Sequence, residues 1–290
     1  MERDITNYVF KPGLPVEFEI LSLADLYRDK RDIITRPHRT AFYHIIWFRK
    51  GNPMHLVDFS PVGIVDDTLL FMTKDTVQVY DDKDGIEGLS ILFTDAFFYQ
   101  TAADARFLKD SILFNDLLSV STIQLNNQDT PFHELLHLMQ NEVKQGKDSF
   151  QPSILKNYLH SFLLQAERLR RNQDFQEVRK GPDFDYVILF RDLLEAGFNK
   201  NKQVSYYATQ LNVTEKRLNL ATAKVLGKTP KQMIDDRVML EAKRLLAHTN
   251  DSIKGVGFIL GFEEPTNFIK YFRKHSQQTP VEFRESFLIS

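Results

Sequence analysis

Two stretches toward the C-terminus repeat one another, and that repeat narrows the folds open to this chain. Ser252 to Phe283 reads SIKGVGFILGFEEPTNFIKYFRKHSQQTPVEF. Ser252 is a suitable N-cap, because its hydroxyl can accept from an unpaired first-turn amide. Gly261 supplies the positive φ that ends a helix, and Pro265 falls in a first turn, where its missing N–H costs nothing. The stretch therefore reads as a short helix, a turn at Gly261, and a second helix that stops at Gln278-Thr279-Pro280. Phe268, Tyr271 and Phe272 make an apolar stripe, while Lys270, Arg273 and Lys274 project elsewhere. A second copy lies upstream. Val204, Ala208, Leu211, Asn212 and Val213 stand forty-nine residues before Ile253, Gly257, Leu260, Gly261 and Phe262. Leu218, Lys224, Thr229, Pro230 and Met233 stand fifty before Phe268, Lys274, Thr279, Pro280 and Phe283. In both copies a small residue permits close helix approach, and four residues later comes a residue that tolerates left-handed backbone. Pro230 to Ala247, with apolar residues at helical spacing, holds the copies apart. Two helices joined by a three- to four-residue turn, the second bearing cations, is the layout of a DNA-reading helix-turn-helix. The bland alternative is a helical bundle with a chance repeat.

The faces of the second helices assign residues to roles. Thr266, Asn267 and Lys270 fall early and exposed in one, and Lys216, Arg217 and Asn219 do so in the other. Arg can bond guanine bidentately and Asn adenine. Arg273, Lys274 and Lys224 lie later and suit phosphates, which fix register without reading sequence. The alternative for any single lysine is a solvated surface charge. Lys200 to Val281 carries fourteen Lys+Arg against seven Asp+Glu in a chain whose net charge is -2, so the cations gather where DNA would lie.

The same residues resemble the DNA-binding domain of the AraC/XylS family of bacterial transcriptional regulators. Ile253, Val256, Leu260-Gly261-Phe262, Pro265, Phe268, Phe272, Arg273-Lys274 and Thr279-Pro280, with Phe283-Arg284 behind, carry the likeness, which covers about residues 183–290. Three positions depart from the family pattern. Gly257 stands where Ala is usual, Gln277 where Gly is usual, and Leu220 is apolar where a polar contact residue is common. The resemblance implies a C-terminal all-α domain with two helix-turn-helix units, and double-stranded promoter DNA as partner. It further implies a small-molecule effector, a homodimer, and RNA polymerase where the protein activates.

Ahead of this region the pattern is β. AFYHIIWFRKG, MHLVDF, TLLFM, TVQVY and LSILF are separated by Gly, Pro and Asp turns, which indicates an antiparallel barrel or sandwich. Position and sequence are similar to the cupin-like sensor half of AraC-type regulators. The whole reads as a multidomain α and β protein. Residues 1–130 form a cupin-like antiparallel sensor barrel, 131–182 linker and dimerisation helices, and 183–290 the DNA-binding domain. Two amphipathic helices, after Pro131 and after Pro152, suggest a dimer contact, with packing against the barrel as the alternative. The polar stretch 172–182 marks the boundary. Strand alternation puts Phe42, His44, Ile46 and Phe48 on one face and Tyr43, Ile45 and Trp47 on the other. His38, Tyr43, His44 and His55 are the candidate ligand-binding residues. The closely spaced HxH of cupin metal sites is missing, so the reading is a pocket without metal or cofactor, and Trp47 is assigned to the core. Tyr80 stands where related sensors often have His.

One motif points to a different class. His133-Glu134-Leu135-Leu136-His137 matches HExxH, in which two imidazoles on one helical face bind zinc and the glutamate activates water. No convincing third ligand follows, since His160 or Glu167 would need special folding. A metal-dependent hydrolase is thus the alternative to a non-enzymatic regulator. With no cysteine, the chain has neither disulfides nor thiolate sites. MERDITNYVF lacks a signal-peptide core and no apolar run reaches membrane length, so a soluble, cytoplasmic protein is expected.

Overall fold

A computed structural model describes residues 7–8, 10, 16–74, 76–114, 120–125, 130–145, 148–173 and 181–288. Two compact units divide the chain, one over Thr6–Gln176 and a second built on Glu177–Ser290. Of the boundary stretch expected at 172–182, residues 174–180 lie outside the described residues.

The first unit runs β1 (Asn7–Tyr8), β2 (Phe18–Ser22), α1 (Leu23–Ile34), β3 (His38–Thr40), β4 (Tyr43–Lys50), β5 (Met54–Val57), β6 (Ser60–Gly63), β7 (Thr68–Met72), β8 (Val77–Val79), β9 (Glu87–Phe93), α2 (Asp95–Phe98), α3 (Ala102–Asp110), β10 (Thr122–Gln124), α4 (Thr130–Lys144) and α5 (Gln151–Asn172). Its strands form two five-stranded sheets, ordered β1-β3-β8-β5-β6 and β10-β7-β4-β9-β2. Every pairing is antiparallel except β1 with β3. The strand β4 lies between β7 and β9, and its first six residues are buried because both faces of its sheet are covered. On one face Ile46 and Phe48 meet Leu70, Met72, Val57 and Tyr80 in a core shared by the two sheets. On the other, Tyr43, Ile45 and Trp47 pack with Phe132, Leu136, Leu159 and Phe162 from α4 and α5. The alternation expected from sequence thus sets two cores on opposite sides of one strand.

α1 precedes the β region that opens at Ala41 and is a helix not expected from the sequence, although Leu23, Leu26, Tyr27 and Ile34 carry helical spacing; its Leu23 and Ile34 are buried in the inter-sheet core. Of the two readings of the α4 and α5 stripes, a dimer contact or packing against the barrel, the contacts within the chain are of the second kind. Phe132, Met139, Leu155, Leu163 and Ala166 belong to the same core as the sheet, leaving Leu138, Val143 and Leu164 as their exposed large apolar side chains. Burial of a stripe against its own sheet removes the same apolar area from water that a partner would.

The second unit is all helical: α6 (Pro182–Gly197), α7 (Val204–Gln210), α8 (Glu215–Leu226), α9 (Pro230–His248), α10 (Ile253–Ile259), α11 (Pro265–Ser276) and α12 (Pro280–Leu288). Phe190, Leu194, Tyr207, Ala208, Leu218, Ile234 and Val238 form its core, with Phe262 and Tyr271 packed against them. Among the described residues no helix is long and apolar enough to cross a membrane.

Candidate functional site

The two turns repeat bond for bond. In α7–α8, Leu211 N donates to Tyr207 O, Asn212 N to Thr209 O and Val213 N to Ala208 O, each at 3.0 Å. In α10–α11, Leu260 N donates to Val256 O (3.1 Å), Gly261 N to Phe258 O (2.9 Å) and Phe262 N to Gly257 O (2.9 Å). Asn212 (φ 54°) and Gly261 (φ 74°) hold the left-handed position. At Gly261 the glycine is forced twice over, since a Cβ would stand 1.7 Å from Asn199 O. The N-caps differ between the copies: Ser252 Oγ accepts from Gly255 N at the start of α10 and Thr214 Oγ1 from Arg217 N at the start of α8, whereas Gln203 and Glu264 at the matching helix starts make no such bond. Gly227 (φ 65°) and Gln277 (φ 61°) close α8 and α11 in left-handed backbone. Thr229 with Gln232 and Thr279 with Glu282 then form reciprocal boxes that start α9 and α12.

Two ties join the halves of this unit. Lys202 Nζ donates to Leu260 O (2.6 Å) and Gly261 O (3.2 Å), carbonyls that the end of α10 leaves unpaired, and stands 4.5 Å from the Phe262 ring centroid. Burial, helped by Lys231, holds its ammonium below the ordinary lysine pKa. Tyr271 of α11 donates its hydroxyl to Asp235 Oδ1 on α9 at 2.7 Å. Sequence reasoning passed over Lys202 because its partners are backbone carbonyls far along the chain.

The reading helices differ in what they offer. On α11, Thr266, Asn267, Lys270, Arg273 and Lys274 are exposed, opposite the buried Phe268 and Phe272. None of Thr266, Asn267, Lys270 and Lys274 is held by an ion pair of the described residues. On α8, Lys216 and Lys224 are exposed, but Arg217 and Asn219 are only partly so. Arg217 Nη1 stands 2.5 Å from Asp183 Oδ1, with its guanidinium 4.9 Å from the Tyr186 ring. Lys224 Nζ reaches Asp183 Oδ2 at 2.7 Å, and the two cations draw the Asp183 pKa down. Asn219 Nδ2 donates to Glu215 O one turn back at 3.0 Å. Asp183, on α6, was invisible as a partner in the linear sequence.

A cavity of about 260 Å³ opens in the first unit, lined by His38, Thr40, His44, Gln78, Tyr80 and Ser90, with Phe42, Leu21, Leu26, Ile34 and Leu92 among its apolar walls. Gln78 organises the polar end. Its Nε2 donates to His44 Nδ1 (3.0 Å), and its Oε1 accepts from His55 Nε2 (3.1 Å). The proton of His44 therefore sits on Nε2, which faces Ser90 Oγ and, at 3.4 Å, the Tyr80 hydroxyl. His38 Nδ1 lies 2.9 Å from Arg36 O. Burial dominates the titration of all three imidazoles. It lowers His38 to about 4 and His55 to about 3, and holds His44 well below 6.5, so all are neutral at pH 7. Of the four residues expected at a ligand site, His38 and His44 line the cavity, and His55 stands behind it against Tyr80. Tyr43 is a correction. The alternation that turns His44 inward turns Tyr43 the other way, where it stacks on Phe93 at 5.1 Å and meets Phe114 edge-on.

His133, Glu134 and His137 lie exposed on α4. His133 sits against the Trp47 ring at 4.7 Å, and Asn141 Nδ2 pairs with His137 Nε2 at 2.9 Å. His160 packs on Phe107, and Glu167 accepts from Ile112 N. Among the described residues no three His, Asp or Glu side chains gather as a metal would need. Trp47 is buried, with Nε1 donating to Asp67 Oδ1 at 2.8 Å.

Comparison with known proteins places this geometry in context. The family model of a helix-turn-helix domain matches residues 207–286. The HTH-type transcriptional activator RhaS of Pectobacterium carotovorum is 21% identical over 256 residues, 85% of this chain and 86% of that one. The lactose operon transcription activator of Staphylococcus xylosus is 30% identical over 99 residues, covering 34% of this chain and 36% of that one. Among solved structures, ToxT of Vibrio cholerae matches over 92% of this chain and 98% of its own, with 14% identity and a TM-score of 0.48. The relatives matched in sequence are transcriptional regulators.

Proposed function

We propose that this chain is a DNA-binding transcriptional regulator of the AraC type, and that its residues divide the work as follows. α8 and α11 enter successive major-groove segments on one face of a duplex. On α11, Thr266, Asn267 and Lys270 meet base edges, while Arg273 and Lys274 meet phosphates. On α8, Lys216 and Lys224 serve the backbone, and Arg217 and Asn219 hold the helix in place through their contacts within the chain. The cavity around His44 takes a small-molecule effector, whose binding shifts the balance between states that differ in DNA affinity. A homodimer, and RNA polymerase for an activator, complete the partners.

The observation that carries the DNA reading is the bond-for-bond repeat of the two turns, with an exposed cationic face on α11. Selection of the full-length chain on random duplexes, at two salt concentrations, tests it. The expected product is a site with two segments about 10 base pairs apart, centre to centre. Its affinity should fall steeply with salt, by roughly 0.9 in the log–log slope for each phosphate neutralised. A pool that remains random at both concentrations refutes the assignment. For the cavity, His44→Leu should abolish the thermal shift produced by any effector found in a small-molecule screen.

A further inference from the structure

α8 turns an unusual face outward. Lys216, Leu220, Ala223 and Lys224 follow at i, i+4, i+7 and i+8, so they share one side of the helix, and all four are exposed. Leu220 is 61% exposed, the largest value among the large apolar side chains described in the helical unit. A leucine so placed contributes nothing to the core below it, where Leu218, Ala221 and Thr222 are buried instead. Two of the three polar residues that could read bases from this helix are engaged elsewhere, Arg217 by Asp183 and Tyr186, and Asn219 by the backbone of its own helix, which leaves Lys216. The fifty-residue repeat sets Leu220 opposite Lys270 of α11 and Ala223 opposite Arg273, so matching positions carry apolar groups in one helix and cations in the other. In a major groove, the apolar feature available to such side chains is the 5-methyl group of thymine.

We propose that α8 reads its DNA segment through Leu220 and Ala223 against thymine methyl groups, flanked by Lys216 and Lys224 on phosphates, whereas α11 reads by polar contact. The inference rests on the DNA-reading role proposed above. Flanking cations suit this occupant, because they draw the helix to a polyanion while the central residues meet base edges. The result is a reader with two unlike halves, one sensitive to methyl groups and the other to donors and acceptors.

Deoxyuridine differs from thymidine only by that methyl, which makes the test direct. Using the full-length chain and a duplex from the selection, each thymine is replaced singly by deoxyuridine. Affinity should drop about fourfold at one or two thymines of the segment under α8, the effect of losing one buried methyl-sized contact. Replacement under α11 should leave affinity unchanged. Leu220→Ala should bind the thymine duplex more weakly than the unaltered protein, and should respond little to the deoxyuridine replacements. Leu220→Lys should lose the methyl dependence and steepen the salt slope by about one unit. Uniform indifference to deoxyuridine overturns the proposal while leaving DNA reading intact, as does equal sensitivity in Leu220→Ala. Failure to enrich any duplex overturns the DNA reading itself, and this inference with it.

Discussion

Gln277 holds a position that the repeat gives to glycine. Its φ of 61° matches the 65° of Gly227 at the end of α8, and both residues donate their N–H to a carbonyl four residues back. A side chain in left-handed backbone crowds the carbonyl and costs about 1 kcal/mol or more, which glycine avoids, although glycine gives back part through greater freedom when unfolded. Gln277→Gly should therefore stabilise the helical unit by roughly 0.5–1 kcal/mol, read as a higher urea midpoint at 222 nm with no change in slope. An unchanged or lowered midpoint would show that the Gln277 side chain contributes more than its backbone strain costs. Gly261→Ala should act in the opposite sense and strongly, because its Cβ would overlap Asn199 O. Among the DNA contacts, Lys274→Ala should weaken binding to all sequences alike and flatten the salt slope by about one unit, whereas Asn267→Ala and Lys270→Ala should alter base preference. A retained preference in both would remove them from the base-reading set.

At the scale of elements, what could be read from sequence was whatever depends on neighbours in the chain. Caps, left-handed turns and apolar periodicity are local, so α7 to α11, and the burial of Phe268 and Phe272, follow from spacing and from a handful of Ser, Thr, Gly and Pro residues, whereas α12, beyond the stop at Pro280, was not read. Groups that act across elements were not legible. Asp183 precedes α8 by a whole helix and loop, yet it decides that Arg217 faces inward; Gln78 fixes the tautomers of two histidines on other strands. Tyr43 and His44 mark the border between these cases. Alternation predicts that they part company, and only the helices packed beyond the sheet show which side is the cavity and which the outer core. Lys202 belongs to the same class, and its role can be measured. It precedes α7 yet donates to the carbonyls that end α10, so it fixes one helix-turn-helix against the other. Lys202→Met keeps the stem over Phe262 and removes the donors. It should destabilise the helical unit by about 1–2 kcal/mol, and should weaken binding to a two-segment site more than to either segment alone. Equal loss on single and paired segments would reduce Lys202 to a stabilising contact.

The whole molecule joins two units whose stabilities respond differently to acid. In the first, three imidazoles are buried neutral at one cluster, His38 near 4, His55 near 3 and His44 well below its ordinary value, chiefly because burial penalises the charged form. In the unfolded chain each returns to about 6.5. Between pH 6.5 and about 4 the unfolded state therefore binds protons that the folded state refuses, and stability must fall as pH falls. The slope approaches ~1.4 kcal/mol per pH unit for each histidine, or about 4 kcal/mol for the three together. The buried Asp104, paired with Lys156 at 2.7 Å, is held below its ordinary range and so protonates below the upper part of this window. Trp47, the single tryptophan, lies in the core of this unit and reports on it alone. Its fluorescence midpoint in urea should drop markedly from pH 7 to pH 5, and His44→Gln should make the drop shallower by about a third. The helical unit has no such cluster among its described residues, so Gln277→Gly should raise its midpoint by the same amount at both pH values. A Trp47 midpoint indifferent to pH over this range would mean that the histidines are reached by water or are charged in the folded state, and the neutral network around Gln78 would have to be abandoned.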